Sequence, residues 1–109
     1  MELVIERSKW LRGQKDSYLL HPDNGTMCCL GFLGCAVGLS KKVIKGQGVP
    51  SEVKTNKWPE LINSKYAHST DLCDKIVVTN DSILTTDKAK ERKLKALFKK
   101  ADIHVTFVD

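Results

Sequence analysis

Residues 75–108, KIVVTNDSILTTDKAKERKLKALFKKADIHVTFV, decide the fold. Lys75-Ile76-Val77-Val78-Thr79 is rich in β-branched side chains and predicts a strand, ended by Asn80-Asp81-Ser82. Thr85 or Thr86 then caps a long helix with Asp87 in its first turn. Leu94, Leu97, Phe98 and Ala101 fall at i, i+3, i+4 and i+7, a one-sided apolar stripe. After a two-residue link, Ile103-His104-Val105-Thr106-Phe107-Val108 alternates as a strand. Strand, helix, strand, preceded by a hairpin and short helices, predicts an α+β fold.

Upstream, the uncharged run from Thr26 to Gly38 holds three of the four cysteines and three of the seven glycines, which marks it as core. Ser17-Tyr18-Leu19-Leu20 and Thr26-Met27-Cys28 read as the strands of an N-terminal β-hairpin around the turn Pro22-Asp23-Asn24-Gly25. A short glycine-rich helix follows from Cys29, with Gly38 suited to the left-handed position after its end. Ser40 can cap a second helix over Lys41 to Ile44, and Pro59 fits the first turn of a third, Pro59 to Asn63. Leu3-Val4-Ile5 reads equally as a strand or a helix start. No repeat or linker interrupts the pattern, so residues 1–109 form a single domain.

The chain of 109 residues is 41% hydrophobic and 28% charged, with net charge +5, an ordinary balance for a small globular domain with a basic surface. Its few aromatics argue against a wide stacking platform for single-stranded nucleic acid. The opening residues lack a basic segment followed by an apolar one, so the reducing cytoplasm is the expected compartment and free thiols are expected over disulfides. The apolar run is too short to span a bilayer, so no membrane partner is expected.

Chemistry is sparse. A cysteine-dependent hydrolase would use Cys28 or Cys29 at the helix start, where the dipole favours thiolate, with His104 as base. Against it, buried thiols pack as small hydrophobes, and no oxyanion signature accompanies them. The spacing of Cys28, Cys29, Cys35 and Cys73, with His68 near the last, does not resemble a zinc site. No cofactor is implied, because Gly46-Gln47-Gly48 lacks the context of a nucleotide loop. The glycine-rich helix start would alternatively offer backbone N–H groups to a small anionic ligand.

Binding is better represented. Lys9-Trp10-Leu11-Arg12-Gly13 joins an aromatic to cations, the residue types of interface hot spots. Trp58 is a second large aromatic, and both tryptophans also suit a core. The last helix carries Lys88, Lys90, Arg92, Lys93, Lys95, Lys99 and Lys100 against Asp87 and Glu91. A local cationic excess of this kind suits phosphates or an acidic protein.

Lys9-Trp10-Leu11-Arg12-Gly13, Tyr18-Leu19-Leu20, the block Asn24-Gly25-Thr26-Met27-Cys28-Cys29-Leu30-Gly31-Phe32 and the pattern from Asn80-Asp81 to Val108 resemble small uncharacterised proteins of tailed bacteriophages. The resemblance covers most of the chain, and Met-Cys-Cys-Leu-Gly-Phe is its most specific part. It carries no catalytic residue. It implies a protein made in the cytoplasm of an infected bacterium that acts by binding, as an inhibitor of a host enzyme or defence system or by redirecting transcription. The expectation is therefore a non-enzymatic module for a host protein or nucleic-acid complex. Its contacts would be Lys9, Trp10, Arg12, Lys88, Arg92, Lys95 and Lys99.

Overall fold

The computed structural model describes residues 1–14, 17–62 and 67–109, with the backbone path alone over 67–71. The chain is α+β. Strand β1 (Glu2–Glu6) leads through a 3-10 turn (Arg7–Lys9) to helices α1 (Cys29–Ala36) and α2 (Lys41–Ile44). Helices α3 (Ala67–Asp81) and α4 (Asp87–Lys99) follow, and strand β2 (His104–Val108) ends the order.

The sheet joins the two ends of the chain. β1 and β2 pair in parallel, from Glu2 opposite His104 to Glu6 opposite Val108. A parallel pair needs a long crossover, and here everything between residues 7 and 103 supplies it. Alternation puts Leu3, Ile5, Val105 and Phe107 into the core and leaves Glu2, Val4, His104 and Thr106 outside. The open reading of Leu3-Val4-Ile5 thus resolves as strand.

Helix α1 is buried over Cys29–Gly34, so its sequence shows little amphipathic contrast. Gly31 lies against backbone: a Cβ there would stand 1.7 Å from the Leu19 carbonyl oxygen. At the far end Gly38, at φ 97°, occupies the left-handed position. Its N–H donates to the Cys35 carbonyl (3.1 Å), while the Leu39 N–H reaches the Gly34 carbonyl (2.9 Å). These two bonds together close the helix as a Schellman motif.

Helix α4 begins at Thr86, whose hydroxyl accepts from the Ala89 N–H at 3.2 Å. Leu94 and Phe98 are fully buried, with Leu97 and Ala101 packed beside them. Asp102, left-handed at φ 59°, then turns the chain into β2.

Four expectations are corrected. Residues 75–79 are helix within α3, not a strand, so the C-terminal unit is helix-helix-strand. Helical burial of Leu72, Ile76 and Asn80, four residues apart, overrides the β-branched run. The N-terminal hairpin is absent as a ladder. The turn forms, with the His21 N–H on the Thr26 carbonyl and the Cys28 N–H on the Tyr18 carbonyl at 3.0 Å, but the flanks build no continuous ladder and make their other bonds elsewhere. Met27 bridges to Trp10, and Leu19 donates to Gln47. Ser40 precedes α2 without a side-chain capping bond. Residues 60–62 form a turn rather than a helix, and Asn63 lies outside the described residues.

Candidate functional site

The hydrolase reading does not assemble. Cys28 occupies the N-cap position of α1 and Cys29 its first turn, and both are buried. Burial pushes the Cys28 thiol up to about 12 and raises Cys29 as well, so desolvation outweighs the helix dipole. His104 projects from the outer side of β2, 73% exposed, and its Nδ1 lies 2.7 Å from the Glu2 carboxylate opposite it in register. Thiols inside and imidazole outside are not brought together.

The start of α1 is closed to an anionic ligand too. The Cys29 N–H donates to Asn80 Oδ1 at 3.2 Å, and Cys28, Cys29 and Leu30 are covered. Asn80 organises this region. Its Oδ1 also accepts from Trp10 Nε1 (2.8 Å), and its Nδ2 donates to the Leu11 carbonyl (3.0 Å) and to Asp81 (2.9 Å). Its backbone carbonyl accepts from the Gly13 N–H at 2.9 Å. Asn80 therefore bolts the C-terminal end of α3 to residues 10–13 and to α1.

Trp10 consequently belongs to the core: it is 4% exposed, and its ring meets Phe107 at 4.8 Å. As a contact for a partner it is withdrawn. Trp58 is buried as well, donating to the Val53 carbonyl. Arg12 stacks over the Trp10 ring at 4.6 Å and binds Asp87 Oδ2 through Nε and Nη2. That pairing holds the Asp87 carboxyl below its usual range. Lys9 is exposed, 3.9 Å from Glu6.

Lys88, Arg92, Lys95 and Lys99 are all exposed along α4. Their spacing of four, three and four residues lines them up on one side of the helix. The two acids of α4 are already engaged, Asp87 by Arg12 and Glu91 by Nε and Nη2 of Arg7, each at 2.8 Å. No salt bridge reaches the four cations among the described residues. Lys90 is separate: it is 2% exposed and donates to the Ser82 carbonyl at 2.8 Å, at the end of α3.

A second surface was hidden from the sequence reading. An open groove of about 510 Å³ runs between α3 and α4, lined by Asp74, Lys75, Val78, Thr79, Lys93, Ala96, Leu97 and Lys100. Val78 stands 69% exposed in it, and in the link between the helices Ile83 and Leu84 are 76% and 93% exposed. Assigning Val78 to a strand concealed the groove. The signal available was Leu72, Ile76 and Asn80 at helical spacing, with Val78 off that face.

Among the described residues no group of three His, Cys, Asp or Glu converges on a metal position, and the side chain of His68 lies outside them. No described helix is long and apolar enough to cross a membrane. The sequence matches no protein-family model, and no curated protein or solved structure matches it.

Proposed function

We propose that the chain is a small non-enzymatic binding module of the phage type, acting in the bacterial cytoplasm by occluding a host protein or nucleic-acid complex. The observation that carries this reading is the cationic stripe of α4. Arg7 and Arg12, reaching over from the N-terminal segment, neutralise the helix's own acids, Glu91 and Asp87. Lys88, Arg92, Lys95 and Lys99 are left as uncompensated charge over about 16 Å of helix. Such a stripe favours fast, salt-sensitive association with an acidic surface.

The test reverses the stripe. Lys88, Arg92, Lys95 and Lys99 are changed to Glu together, with Lys41, Lys42 and Lys45 changed to Glu as a second, equally exposed control. Partner recovered from bacterial cells on the tagged protein should fall at least tenfold for the stripe variant and hold for the control. Equal loss in both, or no loss in either, would reject the stripe as the contact surface.

A further inference from the structure

We infer that the groove between α3 and α4 receives an acidic amphipathic helix of a partner protein. This rests on the reading of the chain as a binding module and names the chemistry of what it binds. The floor is apolar, made by Val78, Ala96 and Leu97, and the rim is cationic, made by Lys75 on one helix and Lys93 and Lys100 on the other. Asp74 is the one acid along the lining. A guest that presents an apolar face with carboxylates on both flanks matches this arrangement in both respects.

Shape selects a helix. From Lys93 to Lys100 the groove runs about 10 Å, two helical turns, between two neighbouring helices. A guest helix would seat apolar residues at i, i+3 or i+4, and i+7 along that length. Ala96 permits close approach at the middle, because its side chain is small. Beyond the groove lining, the link between α3 and α4 exposes Ile83 and Leu84. Paired large aliphatics this exposed have no role in the core and suit an anchor.

Charge and chemistry set the other occupants aside. A second copy would bring the same cationic rim against itself in a two-fold contact, and each copy carries +5. Single-stranded nucleic acid would need aromatic faces for its bases, and the lining has none. A bilayer would take up a broad apolar face, whereas this apolar strip is narrow and bordered by lysines on both helices.

The test is site-specific photo-cross-linking with the full chain in bacterial cells. A benzophenone amino acid replaces Val78 in one protein and Val43, an exposed valine on α2, in the control. The expected result is an adduct at position 78, absent at 43, whose sequenced peptide has apolar residues at helical spacing flanked by Asp or Glu. Lys75→Glu, Lys93→Glu and Lys100→Glu together should cut that adduct at least tenfold. The mutated lysines are exposed, and an unchanged melting curve by circular dichroism confirms the fold. Leu84→Asp, at an exposed position off the groove rim, should lower the yield independently. An adduct at 78 with nucleic acid, lipid, a second copy, or a segment lacking that acidic pattern would overturn the inference. A third protein carries the benzophenone at Lys88, on the cationic stripe, and an adduct there with none at 78 would also overturn the inference while leaving the binding module standing. No protein adduct from either surface would overturn both.

Discussion

Replacing Asn80 with alanine should destabilise the fold by about 4 kcal/mol. The side chain is 1% exposed and accepts from Trp10 Nε1 and the Cys29 N–H while donating to Leu11 and Asp81. Alanine removes all four bonds and leaves two buried donors without partners. Each such donor costs about 1–3 kcal/mol, and the space is too confined for water to replace the amide fully. For a domain of this size the loss corresponds to a fall of roughly 15 °C in Tm. Urea unfolding followed by both circular dichroism and tryptophan fluorescence measures it, with coincident curves required. Trp10→Phe keeps an aromatic ring but loses the pyrrole part of the indole with its N–H, and should cost about 2 kcal/mol, less than Asn80→Ala because Asn80 Oδ1 still accepts from Cys29. A loss below about 1 kcal/mol for Asn80→Ala would refute the reasoning, since the network would then not hold α3 against the N-terminal segment.

Iodoacetamide at neutral pH should modify Cys35 first, because it is half-buried, and leave Cys28, Cys29 and Cys73 unreacted in the native protein by intact mass. Stability should fall as pH rises above 9. Burial lifts Cys28 from 9.0 to about 12 and Cys73 to about 11, so the folded state keeps protons that the unfolded state gives up. Each thiol then removes up to about 1.4 kcal/mol per pH unit between its unfolded and folded values, and urea midpoints at pH 8 and pH 10.5 reveal the slope. Gly31→Ala should cost more than about 3 kcal/mol or prevent folding, because its Cβ would drive into the Leu19 carbonyl. Gly25→Ala, with φ 73° but open space, should cost about 1 kcal/mol in the same assay.

What the sequence disclosed follows from how local each signal is. The stripe Leu94, Phe98 and the cap at Thr86 depend on residues within one helix, and α4 could be read directly. The alternation of residues 103–108 likewise identified β2. The parallel partner of β2 lay about a hundred residues away, where Leu3-Val4-Ile5 has no pattern that names its neighbour. Residues 75–79 misled because β-branched content is a weak preference that burial of Leu72 and Ile76 along one helix face overrides. The cationic stripe was legible as composition, but the pairing of its acids by Arg7 and Arg12 was not. Trp10 looked like a contact residue beside Lys9 and Arg12. Only the distant Asn80 reveals why it is inside.

The pairing of β1 with β2 also dictates an order of events during synthesis. Leu3 and Ile5 leave the ribosome before α1 to α4, yet the strand that covers their edge comes after all four of those helices. Strand β1 therefore waits while the residues between it and β2 are made, with an unpaired edge and apolar side chains, a condition that invites chaperones or mispairing. Closure is a single late, long-range step, slow relative to formation of the α3–α4 hairpin. Cells making this chain faster than that step completes should accumulate it in aggregates seeded through β1.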